Sequence, residues 1–211
     1  MKKNIIITGG LGYIGTELCK IYSGSSWNDN ITVIDNRFIS ERVNQLRKWN
    51  IKFIQGDILD KELINNSCKD ADIIHHLAGI TDVPRIKNES NNEKDEKIKL
   101  VAETGTQNIL DSMNEKCKII FPSTHVVFEG TTNVKNDIQE NEELNPVLSY
   151  SNSKAINEEQ LRKSEKNYII LRLGSVYGYS TDTARIDIMP NLFSKIASQD
   201  GTLKLFAGGK Q

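Results

Sequence analysis

The segment Ser149-Tyr150-Ser151-Asn152-Ser153-Lys154 sets a phenol and an ammonium four residues apart. If the segment is helical, both project from one face. A phenol, with a reference pKa of about 10, is a poor base at neutral pH. A nearby ammonium, with any further positive charge, favours the phenolate and brings it toward service as a general base. Tyr-x-x-x-Lys alone is common as helix-surface decoration, so its meaning rests on its company. That company is Thr8-Gly9-Gly10-Leu11-Gly12-Tyr13-Ile14-Gly15-Thr16, directly after the apolar run Ile5-Ile6-Ile7 and directly before a helical pattern. Glycines at such a join allow a tight turn, close backbone approach to a pyrophosphate and close packing of helix on strand. The helix start offers unpaired N–H groups and a positive dipole end to phosphates. A plain strand-to-helix turn would use the same residues. Strand, turn and helix in this order within residues 4–22 favour a dinucleotide site.

Gly9, Gly12 and Gly15 are spaced GxxGxxG rather than GxGxxG. Asp35 closes the next apolar run, twenty residues after Gly15. A carboxylate there accepts hydrogen bonds from ribose hydroxyls and repels a 2′-phosphate, so NAD is the expected cofactor. Arg37 argues the other way, since a guanidinium suits that phosphate; the acid at the strand tip is expected to prevail.

Positioning these groups falls to six apolar runs that read as strands, at 5–8, 31–35, 52–55, 72–77, 118–122 and 168–173. Their nearly continuous apolar character suits a parallel sheet covered on both faces. Helical periods fill the gaps at 13–22, 41–49, 61–65, 97–113 and 149–164. The alternation predicts an α/β fold with a right-handed, doubly wound parallel sheet over residues 1–173. Two stretches break the rhythm. Residues 88–97 are nearly all charged or Asn, which reads as a solvated loop or frayed helix start. Residues 130–146 form a long polar connection, either a substrate loop or a surface excursion. After Leu173 come a glycine- and tyrosine-rich turn, a helix near 186–197 and a short strand at 203–206.

Bulk properties narrow the partners. With 37% hydrophobic residues and 26% charged, the 211-residue chain has material for a core and a soluble composition. A net charge of -1 gives no basic footprint for nucleic acid and no polybasic membrane patch. No apolar stretch approaches the roughly 20 residues that span a bilayer. Met1-Lys2-Lys3 resembles the start of a signal peptide, but the three isoleucines that follow end at a glycine turn and read as a strand. Cys19, Cys68 and Cys117 are scattered and in no metal-ligand spacing, so buried thiols in a reducing, cytoplasmic setting are expected, with no metal.

The whole chain resembles the extended short-chain dehydrogenases/reductases, the nucleotide-sugar epimerase/dehydratase family. The matching text is TGGLGYIG, the VID at Asp35, GDILD at Asp57, HHLAG at Leu77, FPSTHVVFEG, SYSNSK and LRLGSVYGYS. The resemblance implies a Rossmann domain over 1–173 and, over 174–211, the start of a smaller substrate-binding lobe that continues beyond the chain. It also implies that Tyr13, Ile14 and Asn36 complete the NAD site with the glycines and Asp35. Asp57 and Ile58 would flank the adenine, and Leu77, Ala78 and Gly79 would line the pyrophosphate and ribose. Thr124 takes the Ser/Thr position beside Tyr150, with Lys154 reaching both the phenol and the nicotinamide ribose; the plainer reading of Ser123 and Thr124 is capping of a loop at the strand end. Phe128 stands where the family has Tyr, Ala102 where it often has Asn, and Ser175 where it has the Asn before Val-Tyr-Gly.

Dehydrating and decarboxylating relatives carry acids directly after the catalytic Ser/Thr, because elimination needs a second proton donor. Here His125 and Val126 follow Thr124. That favours a 4-epimerase working through a keto-sugar, ahead of a nucleotide-sugar reductase or dehydratase with the same residues. A non-catalytic NAD sensor is the alternative of another class; such proteins usually lose Tyr or Lys, and both are present. His125 could be a proton donor, but it reads first as a packed histidine at a strand end. Of His75 and His76, one is expected in the core and neither at a metal. Relatives pair through the two helices at 97–113 and 149–164, so a homodimer is expected, with Ile98, Val101, Ile109, Leu110, Ile156 and Leu161 serving the core or the seam. The chain as it stands is expected to bind NAD without turning over a nucleotide sugar.

Overall fold

Successive residues of a strand face opposite ways, and the isoleucines of β1 (Asn4–Thr8) use both sides. Ile5 and Ile7 enter one core with Leu11, Cys19, Val33, Val43 and Leu46, while Ile6 enters the other with Ile34, Ile64, Ile74, Ile109, Ile119, Phe121 and Leu161. The computed structural model describes residues 2–81, 91–133, 135–180, 185–186 and 188–205. In order they form β1, α1 (Tyr13–Gly24), β2 (Asn30–Asp35), α2 (Ser40–Lys48), β3 (Lys52–Gln55), α3 (Lys61–Cys68), β4 (Ile73–His76), α4 (Asn92–Ser112), β5 (Lys118–Thr124), α5 (Ser149–Lys163), β6 (Asn167–Leu173) and α6 (Met189–Ala197). The strands build one six-stranded sheet in the order β3-β2-β1-β4-β5-β6. Every recorded pairing is parallel. This is the expected doubly wound α/β sheet, and its order reverses between β1 and β4. Ligands of such sheets bind outside the strands' carboxyl ends at that reversal.

Differences from the sequence reading have local causes. Helix α4 starts at Asn92, five residues early, because Asn91 caps it: its side-chain oxygen accepts from the Lys94 amide at 2.8 Å. Glu93 and Asp95 then stand in the first turn, where negative charge complements the dipole. The charged run is thus a helix start from 91 onward, and its residues 88–90 lie outside the described ones. Helix α3 runs on to Cys68, and α6 begins at Met189, with a proline in its first turn. Residues 203–205 are exposed and form no strand; Phe206 lies outside the described residues. Helix α6 has no buried residue, and Ile186, Met189 and Leu192 are exposed.

Burial also separates core from surface on the two long helices. Ile98, Ile109, Leu110 and Leu161 are buried within this chain, Val101 and Ile156 are partly buried, and Leu100 is 52% exposed. The three cysteines are free and buried. Burial pushes Cys19 and Cys68 up to about 12 and Cys117 to about 11, which makes them inert thiols. Among the described residues, no helix is long and apolar enough to cross a membrane.

Candidate active site

Parallel pairing places Thr8, Asp35, His76 and Thr124 at or beside the carboxyl ends of neighbouring strands, along one edge of the sheet. The glycine turn leaves that edge from β1. Gly9 adopts φ +69°, and a Cβ there would lie 2.7 Å from the Ala78 backbone nitrogen. Only glycine combines that backbone with that approach. Gly12, at the N-cap of α1, brings no capping side chain, and no acid stands in the first turn. The N–H groups of Tyr13 and Ile14 are therefore left to an outside acceptor, and the helix dipole favours an anion. A Cβ on Gly15 would meet Gly10 at 2.6 Å, so α1 packs directly on the turn. These residues fit a pyrophosphate.

Asp35 is buried, and its carboxylate is shared. Leu11 N donates to Oδ2 at 3.0 Å, while Arg37 donates through its backbone N at 3.0 Å, its Nε at 3.1 Å and its Nη2 at 3.3 Å. The guanidinium read as a counter-argument for NADP thus sits on the acid read as the argument for NAD. Asn36 Nδ2 donates to Asp57 Oδ2 at 3.0 Å, and Asp57 Oδ1 accepts from Leu59 N at 2.9 Å. This ties the β2 and β3 ends together. Ile58 points into the core, where a Cβ on Gly105 would meet it at 2.3 Å.

The loop after β4 closes against the glycine turn. Leu77 N donates to Thr8 O at 3.1 Å and Ala78 N to Thr8 Oγ1 at 3.2 Å, while Gly79 is exposed with open space around it. Both histidines before this loop are buried, not one. His75 Nε2 meets Tyr22 Oη at 2.7 Å, and burial pushes its pKa down to about 4. His76 is pushed to about 3, by burial first and then by the Lys154 charge. Among the described residues, no group of three or more His, Cys, Asp or Glu is arranged to hold a metal.

Tyr150 and Lys154 share one face of α5, which leans on β5. Lys154 Nζ donates to Pro122 O at 2.9 Å and lies 4.4 Å from the Phe121 ring centroid and 5.8 Å from that of Tyr150. Burial pushes its pKa down to about 8, against the opposite pull of Glu158. The Tyr150 phenol is raised by burial, with Arg185 pulling it the other way. The recorded contacts of the Lys154 ammonium are thus the Pro122 carbonyl and the Phe121 and Tyr150 rings.

Thr124 ends β5, two residues beyond Pro122, and its Oγ1 accepts from Val126 N at 3.3 Å in a 3-10 turn (His125–Phe128). Its neighbour Ser123 faces the other side of the sheet, where its hydroxyl donates to Glu158 at 2.6 Å. The capping reading therefore holds for Thr124 and gives way to this buried bond for Ser123. His125 is exposed rather than packed, with Nδ1 3.2 Å from Leu173 O.

Sequence reading passed over several positioning residues. Glu158 is fully buried and binds Arg172 and Arg162, each at 2.8 Å, as well as Ser123. Burial raises its pKa, but the Arg172 and Ser123 hydrogen bonds outweigh this and hold it below the usual carboxylate range. The acid thus locks α5 to β5 and β6 one turn beyond Lys154. Glu129 accepts from Val147 N at 2.9 Å, Leu148 N at 2.7 Å and the Ser151 hydroxyl, fixing the entry of α5 just before Tyr150. The long loop closes at its neck, Asn145 N to Val127 O and Gly130 N to Asn145 O, each 2.8 Å. Beyond the neck it leans on Arg172, whose Nη1 donates to Glu140 O at 3.2 Å. A Cβ on Gly10 would meet Val33 at 2.6 Å. An acid four residues after the lysine was a signal available in sequence; the others had none.

The family model described as NAD dependent epimerase/dehydratase family matches residues 5–211. A dTDP-D-glucose 4,6-dehydratase of Dictyostelium discoideum is 31% identical over 199 residues, 83% of this chain and 44% of that protein. A putative UDP-glucose 4-epimerase of Methanocaldococcus jannaschii is 30% identical over 186 residues, covering 84% and 57%. The chain thus spans about half the length of these curated relatives. Among solved structures, UDP-glucuronic acid 4-epimerase from Bacillus cereus, in complex with UDP-glucuronic acid and NAD, superposes with a TM-score of 0.77. That match is 23% identical, covers 99% of this chain and 67% of that one, and speaks for the fold alone. UDP-glucose 4-epimerase from Brucella ovis, in complex with NAD, gives 0.67 at 25% identity, covering 88% and 54%.

Proposed function

Since the chain belongs to the NAD dependent epimerase/dehydratase family, we propose that it binds NAD at the β1–β4 reversal and serves a nucleotide-sugar 4-epimerase. The observation that carries the choice of chemistry is the end of β5: Thr124 is followed directly by His125 and Val126, with no carboxylate at either position. An elimination would need an acid for the departing hydroxyl. The Dictyostelium dehydratase keeps a dehydratase as the second reading.

In the proposed site the amides of Tyr13 and Ile14 hold the pyrophosphate, with Gly9, Gly12 and Gly15 giving it room, and Asp35 and Asn36 hold the adenosine ribose. Asp57 and Ile58 border the adenine; the Ile58 side chain is already committed to the core, which leaves this contact to its backbone. Leu77, Ala78 and Gly79 close the other side. When bound, NAD supplies the hydride acceptor and a positive ring beside the phenol. Tyr150 takes the proton of the sugar hydroxyl, C4 in the commonest case, Thr124 orients that oxygen, and Lys154 stabilises the phenolate and reaches the nicotinamide ribose. Tyr150 would return the proton to that oxygen once the keto-sugar had turned and been reduced on its other face, which would give the 4-epimer. Residues 1–173 form the cofactor domain in this reading, and 174–211 belong to the substrate-binding lobe. We further propose a cytoplasmic homodimer through α4 and α5, with exposed Leu100 rather than the buried Ile98, Ile109, Leu110 or Leu161 at its seam.

The test is to incubate the complete protein and NAD with UDP-, GDP-, CDP- and dTDP-sugars and to follow products by NMR. Conversion to a 4-epimer with no net NADH is expected. A 4-keto-6-deoxy product would establish the dehydratase, and stoichiometric formation of NADH with a keto-sugar product would establish a net oxidoreductase running in its oxidative direction.

A further inference from the structure

One buried imidazole stands between the cofactor loop and the lysine, and it has no part in the mechanism above. His76 lies at the end of β4 with Nδ1 2.9 Å from Thr8 Oγ1 and Nε2 3.1 Å from Thr106 Oγ1. All three side chains are buried. The Thr8 hydroxyl also accepts from Ala78 N at 3.2 Å. A hydroxyl has one proton to give, and His76 Nδ1 is the acceptor recorded within its reach. The proton of the neutral ring then sits on Nε2 and is donated to Thr106. The result is a directed chain, from Ala78 N–H to Thr8 O–H to His76 to Thr106, joining the loop, β1, β4 and α4.

We propose that His76 is a positioning residue: neutral, with its proton on Nε2, it fixes the Leu77–Gly79 loop to α4 and adds no second positive charge beside Lys154. Thr8 from β1, Thr106 from α4 and Phe121 from β5 meet the ring, and the charge of Lys154 from α5 acts on it. The Phe121 ring lies 5.8 Å from that of His76, and the Lys154 ammonium 4.4 Å from Phe121. A second positive charge at His76 would oppose that ammonium, and burial and Lys154 together push the imidazole down to about 3. The inference rests on the cofactor reading only for its consequence, tighter NAD binding.

The test uses the chain with its histidines labelled with ¹⁵N. Between pH 5 and 8, on the order of the reference histidine range, the His76 ring is expected to stay neutral, with Nε2 protonated and Nδ1 bare. Titration inside that window, or a proton on Nδ1, overturns the proposal. Thr8→Val and His76→Leu should each speed amide exchange at Ala78 and raise the Kd for NAD about tenfold, the scale of one lost buried hydrogen bond. Thr8→Ser should restore both, and His76→Asn, whose amide oxygen can still accept from Thr8, should fall between. Folded Thr8→Val and His76→Leu proteins with parental exchange and parental Kd would overturn it. A parent chain that binds no NAD would remove the cofactor reading instead, while the ring spectrum and the amide exchange still decide the positioning.

Discussion

Replacing Asp35 by alanine removes a carboxylate on which the turn and the proposed ribose site converge. Leu11 is fully buried, and its amide donates to Asp35 Oδ2 at 3.0 Å. Stranding that N–H costs about 1–3 kcal/mol. The Arg37 side chain is 54% exposed, so solvent screens its ion pair and its loss adds only about 0–1 kcal/mol. Fold stability should therefore drop by about 2 kcal/mol. Cofactor binding loses more specifically: one hydrogen bond from a ribose hydroxyl to a charged acceptor is worth about 1.5–3 kcal/mol, or roughly ten- to a hundredfold in Kd. NADP should not share this loss, since the like charge is gone and Arg37 is released to meet a 2′-phosphate. Asp35→Asn separates the two effects. Its amide oxygen still accepts from Leu11, so most of the stability should return, while the preference for NAD over NADP should stay narrowed. Urea unfolding gives the first quantity, and calorimetric titration with NAD and NADP at one salt concentration gives the second. A parent that binds NADP more tightly than NAD, or an Asn variant with undiminished preference, would refute the reasoning.

Three further outcomes are expected. Tyr150→Phe in the complete protein should lower turnover by about 10²- to 10⁴-fold, the range of general acid–base catalysis, with NAD binding near parental, whereas Lys154→Ala should impair both; a Phe variant with near-normal turnover removes Tyr150 as the base. Glu158 is held below its ordinary range in the folded chain, so its stabilisation is present above the unfolded value of about 4.3 and is lost as pH falls through the folded value. Glu158→Gln should be less stable at pH 7 by about 3 kcal/mol, since the Arg172 side chain is only 17% exposed and would lose its partner; its acid unfolding limb should also be shallower, and parallel limbs by circular dichroism would count against this. Leu100→Glu should turn the proposed homodimer into a monomer in light scattering, and a folded parent that is already monomeric at micromolar concentration removes the dimer.

The residues that announced themselves in sequence did so because their signals are local. A turn that needs φ above zero at Gly9, a helix start without a capping side chain, a carboxylate at the tip of β2 and a phenol one helical turn before an ammonium all lie within short windows. The six strands were equally legible, since a sheet covered on both faces leaves near-continuous apolar runs such as Ile5-Ile6-Ile7. Local signals failed where the deciding partner is distant in the chain. Ser123 and Thr124 are chemically similar neighbours, and the pleat together with Glu158, 35 residues away, commits one hydroxyl and leaves the other at the strand end. His76 is an ordinary buried ring until Thr8 and Thr106 meet it from 68 and 30 residues away. Arg37 could have served NADP, yet in the fold it closes on Asp35. Helix spacing sets Lys154 beside the phenol, and packing also brings its ammonium to Pro122 and Phe121. Spacing along the chain fixes which groups can share a turn or a helix face. Which proton goes where depends on acceptors that only the packed sheet and helices bring within 3 Å or so of one another.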